Sequence, residues 1–190
     1  GQMIDDTLAK YGLLESSGDE GSGPALARRG RSPLLWHVAI AGPGPIQRVA
    51  SLVSWLFRRE VFIIALLLGA AQRILIYTGY FPPASRGDGR GTLLLVAIVL
   101  GSILLHEVGH ASAAVRYGVE CKEIGFGFYF FLPVFYSDVT GAWMLSRPRR
   151  VMVDLGGAYF QVIMGLVLFA LYLLRGDPVL LTALVGIDGL

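Results

Sequence analysis

Three long apolar runs constrain this chain more than anything else in it. Residues 61–81, 92–115 and 151–174 are each long enough to cross a bilayer, which takes about 18–20 residues with few charges. Lipid offers the backbone no hydrogen-bond partners, so runs of this kind are helices. The first run carries Gln72 and Arg73. A fourth run begins at residue 178 and reaches the last residue, so the chain is expected to stop inside a span. Composition agrees, with 54% hydrophobic and 16% charged residues and a mean hydropathy of +0.61. A soluble domain has about 25% charged residues, so an ordinary cytosolic enzyme and a disordered chain are both disfavoured.

Outside the spans, Met3, Ile4, Leu8 and Tyr11 recur at helical spacing, and residues 1–15 read as the end of a soluble N-terminal domain. Residues 16–45, rich at first in Gly, Ser, Pro and charge, read as a linker. Over residues 46–60, Ile46, Val49, Leu52, Val53, Leu56 and Phe57 form an apolar helical stripe flanked by Arg48, Arg58 and Arg59, as in a helix lying on a membrane surface. A cytosolic core helix is the plainer alternative. Residues 61–190 are then the membrane domain, cut short at its C-terminus.

Lys and Arg set the orientation. Twelve of them lie before the first span or between the second and third, against three at Arg86, Arg90 and Arg175 on the other side. The N-terminus and the loop from Arg116 to Arg150 are therefore expected in the cytoplasm. A net charge of +2 does not suggest nucleic acid as a partner. No basic start leads into an early apolar core, so no signal peptide is visible.

The second span reads LLHEVGHAS and places His106, Glu107 and His110 inside an otherwise apolar helix. An ionisable group at mid-bilayer costs about 2.5–3.5 kcal/mol on insertion scales, so such residues normally face a cavity and act there. His106 and His110 are four residues apart and share one helical face. This is the spacing with which two histidines hold zinc while the intervening glutamate serves as general base in peptide hydrolysis. The plainer reading is that buried His and Glu satisfy one another within a bundle. The single cysteine, Cys121, excludes an internal disulfide framework and a thiolate-rich zinc site. With only His37 besides the pair, a histidine-rich di-iron site is excluded for this chain, and metal transport would want acids or histidines spread over several spans.

HEVGH within a span, followed by GFGFYF at residues 125–130, resembles the site-2 protease family of intramembrane zinc metalloproteases. More narrowly, FLPVFYSDVTGAW at residues 131–143 and RPRRVMVDLGGAYFQ at residues 147–161 resemble its bacterial peptide zinc metalloprotease branch. The resemblance covers residues 92–161. It implies Zn2+ as cofactor, His106 and His110 as metal ligands and Glu107 as the catalytic base. It also implies a third ligand, an Asp from a later span, usually in an Asp-Gly pair after an Asn-Pro element. Asp188 offers the pair without that element. At 1.5 Å per residue Asp188 lies about 15 Å below the outer surface while His106 lies about 21 Å below it, so an Asp beyond Leu190 suits the role better. In this branch a small peptide-binding domain often precedes the membrane part, and residues 3–14 would be its last helix.

Three further features invite a role. Residues 123–134 are rich in Phe, Tyr and Gly and end at Pro133, too short for a span. They read as an extended or re-entrant segment folding toward the zinc, whose strand edge would hold a peptide by backbone hydrogen bonds, or else as a loop on the membrane surface. Asp138 reads as a turn residue or as a shaper of the site, and Asp154 as an interfacial ion-pair partner of Arg149 and Arg150. Arg73 would face the bundle, snorkel outward or answer an acid in a further span. His37 and Cys121 read as ordinary packed or solvent-facing side chains.

The expected fold is thus an all-α membrane protein, a bundle of three to four transmembrane helices with a short re-entrant or extended segment near the active site. The expected function is intramembrane zinc endopeptidase, at the bacterial cytoplasmic membrane, cutting a membrane-embedded protein or peptide precursor, with an export or gating partner. The alternative is a non-hydrolytic membrane partner in peptide export, maturation or immunity that keeps the same fold.

Overall fold

The computed structural model describes residues 36–79 and 89–187. The segments expected over residues 1–35, and Asp188, lie outside these. Six helices and one small sheet follow in the order β1 (Trp36–Ala41), α1 (Pro43–Val53), α2 (Arg59–Tyr77), α3 (Gly89–Arg116), β2 (Ile124–Tyr129), β3 (Leu132–Ser137), α4 (Arg147–Asp154), α5 (Gly156–Arg175) and α6 (Pro178–Ile187). Single turns of 3-10 helix cover Ser54–Phe57 and Thr140–Met144.

Three helical segments, Arg59–Tyr77, Gly91–Arg116 and Gly156–Arg175, are long and apolar enough to cross a membrane. Many of their large side chains point outward: Leu67 is 66% exposed and Leu93 73%. The buried face of α3 is made of small residues, with Ala111, Ala113 and Ala114 fully buried, while α5 and α6 bury Tyr159, Phe160, Leu168 and Leu184. Lipid tails solvate Leu as well as protein does, so membrane helices associate through close backbone approach at small residues.

α3 and α5 are the central pair, with α1, α2 and α6 packed around them. They meet at Gly109 and Gly156. A Cβ on Gly109 would lie 2.3 Å from the Gly156 carbonyl oxygen, and one on Gly156 would lie 2.6 Å from that of Gly109. The two backbones are therefore in direct contact, which only glycine permits. Beside this crossing, Phe57, Phe62, Tyr159 and Phe160 pack as an aromatic cluster, and the Tyr159 hydroxyl donates to the Leu56 carbonyl at 2.9 Å.

The polar residues of the first span each donate to a backbone carbonyl, although Gln72 Oε1 is buried without a partner among the described residues. Gln72 is buried, and its Nε2 donates to the Gly165 carbonyl on α5 at 3.1 Å, a polar contact between helices of the kind expected in lipid. Arg73 reaches back along its own helix toward the Gly69 carbonyl at 3.5 Å and lies with Gln161 on a cavity of about 350 Å³.

Four segments differ from the sequence reading. The third span begins at Gly156 rather than at residue 151, because residues 147–154 form the separate helix α4. Pro148 sits in its first turn, and its three arginines suit water or headgroups rather than hydrocarbon. The first span ends at Tyr77, not residue 81, where the Thr78 hydroxyl caps the Ile74 carbonyl at 2.7 Å. The stripe of residues 46–60 starts earlier, with Pro43 in the first turn of α1, and breaks after Val53. α1 buries Ile46 and Ala50 against α3 and leaves Val49 and Leu52 exposed.

The fourth difference is the strand β1 within the expected linker of residues 16–45. Its partner β2 lies more than eighty residues along the chain, paired antiparallel from Trp36↔Phe128 to Ala41↔Ile124. β3 pairs antiparallel on the other side of β2, from Ile124↔Ser137 to Tyr129↔Leu132, giving the strand order β1-β2-β3. The extended segment expected over residues 123–134 is thus a hairpin. Its tip, Phe130 and Phe131, carries none of the usual turn residues. Phe130 adopts φ 55° and Phe131 is 90% exposed.

Cys121 is buried with Ile46, Ala50, Ala111 and Ile124, and burial, followed by repulsion from Asp138, pushes its thiol up to about 11. Maleimide should therefore label it slowly in the folded protein and readily after unfolding. The helix crossing gives a sharper test. Gly109→Ala should lower stability by about 1–3 kcal/mol or more, whereas Gly101→Ala on the same helix, with nothing within 4 Å of the added carbon, should change it by about 1 kcal/mol at most. Thermal unfolding in detergent distinguishes the two.

Candidate metal centre

α3 brings His106, Glu107 and His110 to one level, on the side where α4, α5 and β3 meet it. The two imidazoles lie with ring centroids 4.8 Å apart at 72°. His110 is held from behind, its Nδ1 lying 2.8 Å from the Val153 carbonyl oxygen. A carbonyl can only accept, so Nδ1 carries the proton and Nε2 presents a lone pair. Backbone carbonyls orient metal-binding histidines in this way. The carbonyl lies in the last turn of α4, outside the regular helical ladder, where the Leu155 N–H of the cap also turns to it and a second acceptor direction remains for His110.

His106 lies against α5. A Cβ on Gly157 would come within 2.3 Å of its Nε2, so the absence of a side chain there makes room for the ring. Its Nδ1 is buried and has no hydrogen-bond partner. An unsatisfied buried ring nitrogen is costly, and no described side chain answers it. The fixed tautomer of His110, with Nε2 free, and an adjacent imidazole whose ring centroid is 4.8 Å away are the features that fit two histidine ligands of a metal. Among the described residues no three His, Cys, Asp or Glu side chains form a group that could hold a metal ion.

Glu107 is half-buried, and its Oε2 accepts a hydrogen bond from the Ser137 hydroxyl at 2.8 Å. Ser137 ends β3, so the extended segment does reach the side chains on α3. It also borders a cavity of about 470 Å³ with Thr140, Trp143, Arg150 and Asp154. The Arg150 guanidinium lies over the Trp143 ring, 5.0 Å from its centroid.

The other acids have different roles. Asp138 is a turn residue: its Oδ1 accepts from the backbone N–H of Thr140 at 3.0 Å and from the Thr140 hydroxyl, and its Oδ2 lies 3.9 Å from Lys122 Nζ. Asp154 is exposed and forms no ion pair with Arg149 or Arg150 among the described residues. The two arginines lie instead over Tyr117 and Trp143. Glu123 accepts from the Tyr136 hydroxyl at 2.7 Å, and burial followed by this bond pushes that hydroxyl up to about 12. His37 is exposed on β1, edge-on to the Tyr136 ring.

Three contributors escaped the sequence reading: the Val153 carbonyl, Gly157 and Ser137. The Gly156–Gly157 pair opening α5 was a usable signal of close approach, whereas a serine at the end of an aromatic strand carries no such signal.

Asp138 yields a pH prediction. Burial alone would raise its carboxyl, but the Thr140 hydrogen bonds and Lys122 outweigh it and hold the group below its ordinary value of 3.8. A depressed folded-state pKa gives stability that is present above the unfolded value and lost as pH falls through the folded one. Asp138→Asn should therefore be less stable than the parent at neutral pH, with the gap closing below about pH 4, as followed by denaturation across pH.

No family profile matches the chain, and no solved structure matches it. One curated protein does, the "putative peptide zinc metalloprotease protein YydH" of Bacillus subtilis (strain 168), 29% identical over 73 residues. That stretch is 38% of this chain and 29% of the relative, so the chain spans under a third of the relative's length.

Proposed function

We propose that this chain is the catalytic part of an intramembrane zinc metalloendopeptidase, with His106 and His110 as metal ligands and Glu107 as catalytic base. The observation that carries the reading is the pair of histidines one turn apart on an apolar helix long enough to span a membrane, with His110 held in the tautomer a metal ligand needs. The name of the Bacillus relative supports the same chemistry. A further ligand would come from outside the described residues, Asp188 or an acid later in the full protein.

When bound, zinc acidifies water and polarises the scissile carbonyl. Glu107 takes a proton from the attacking water as its oxygen bonds to the carbonyl carbon, and delivers that proton to the amine as the C–N bond breaks. The substrate must be extended to expose one peptide bond, and β3 offers an edge with no strand on its outer side among the described residues. The aromatic hairpin tip suits contact with lipid or with an apolar substrate segment. A membrane-embedded protein or peptide precursor is the substrate this arrangement favours. The charge asymmetry across the spans favours an N-terminus in the cytoplasm, and the Bacillus relative favours a bacterial cytoplasmic membrane.

The test uses the full-length protein in detergent with dye-labelled casein as a generic extended substrate, and zinc by elemental analysis. Glu107→Gln should keep its zinc and lose about 10²–10⁴-fold in cleavage rate, and His106→Ala should lose both zinc and cleavage. Unimpaired cleavage by Glu107→Gln overturns the assignment. Zinc content that ignores His106→Ala, with no cleavage by the parent, supports the non-hydrolytic partner in peptide export, maturation or immunity.

A further inference from the structure

Ser137 is the only described side chain shown bonding to Glu107, and it comes from a strand thirty residues along the chain. Its position is set from both directions. On one side Ser137 pairs with the buried Ile124 at the end of the β2–β3 ladder. On the other, the Asp138 N–H donates to the Glu123 carbonyl at 2.8 Å, the Lys122 N–H donates to the Asp138 carbonyl at 3.0 Å, and the Asp138 carboxylate closes the turn onto Thr140. The hydroxyl is thus presented to Glu107 by a backbone with little freedom. Glutamate, by contrast, has three side-chain torsions and loses much rotamer freedom when held in one place. A rigid donor on Oε2 selects one orientation of the carboxylate and leaves Oε1 for proton exchange.

We propose that Ser137 is a positioning residue that holds the Glu107 carboxylate in its working orientation and keeps it in register with the edge strand β3. The proposal rests on Glu107 being the proton carrier described above. The Ser137 side chain is shown bonding Glu107 alone among the described residues, so it acts through that carboxylate. A peptide paired along β3 would reach the end of the strand at the residue that holds the base, so binding and proton transfer share one piece of backbone. A displacement of about 1 Å in such a constellation can cost about 10²-fold in rate, and loss of a supporting hydrogen bond about 10–100-fold.

Infrared difference spectroscopy on the full-length protein gives a readout independent of turnover. The Glu107 carboxylate band is assigned by its loss in Glu107→Gln. Ser137→Ala should shift that band, and Ser137→Thr, which keeps the hydroxyl, should restore it. An unshifted band in Ser137→Ala overturns the proposal. With labelled casein, Ser137→Ala should lower kcat about 10-fold or more with KM, zinc content and melting temperature near the parent's, and Ser137→Thr should recover most of the rate. A loss of kcat that tracks a lower melting temperature, or a full rate in Ser137→Ala, also overturns it. If Glu107→Gln cleaves as fast as the parent, the endopeptidase reading fails instead, and the band shift still decides whether Ser137 orients the carboxylate.

Discussion

The contact between Gly109 and Gly156 governs how close α3 and α5 can come, and most of the candidate site follows from that distance. With the two backbones touching, the imidazole of His106 falls into the space left open by Gly157, and His110 comes within reach of the Val153 carbonyl. A single methyl group at the crossing would separate the helices and move both rings away from the groups that hold them. In lipid there is no hydrophobic pressure to close such a gap again, because apolar side chains gain little by leaving acyl chains for protein.

The break between α4 and α5 is the second element of the arrangement. A continuous helix through residues 147–175 would spend the Val153 carbonyl on its own hydrogen-bond ladder. Ending α4 at Asp154 and restarting at Gly156 releases that carbonyl for His110. The same break keeps Arg147, Arg149 and Arg150 off the axis of the apolar helix, so the charged part of the segment need not enter hydrocarbon. One local irregularity thus serves solvation and histidine orientation together.

The sheet joins the N-terminal end of the described chain to its middle. β1 and the β2–β3 hairpin form by pairing between segments far apart in sequence, and β3 delivers Ser137 to Glu107. Periodicity reveals an amphipathic or apolar helix because its signal is local, so α2 and α3 were legible within a few residues at their ends, whereas α1 broke well before the end of its stripe and α5 was read as one helix with the end of α4. Trp36, Val38 and Ile40 alternate, which is a strand signal, but in a short segment after a Gly- and Pro-rich stretch it says nothing about a partner more than eighty residues away. Asp138 as a turn residue was legible because Asp makes its hydrogen bonds within two residues of itself.

The sequence alone determined that this chain carries membrane-length apolar helices, and that one of them places two histidines and a glutamate on neighbouring positions of one turn. Both follow from residue chemistry and helical period, which act over a few residues. Tertiary structure decided which ring nitrogen of His110 is free, what makes room for His106, what holds Glu107, and that Asp154 stands apart from the arginines beside it. These depend on where a backbone carbonyl, a missing Cβ and a strand end arrive in space, and neighbouring residues in sequence carry no record of such meetings.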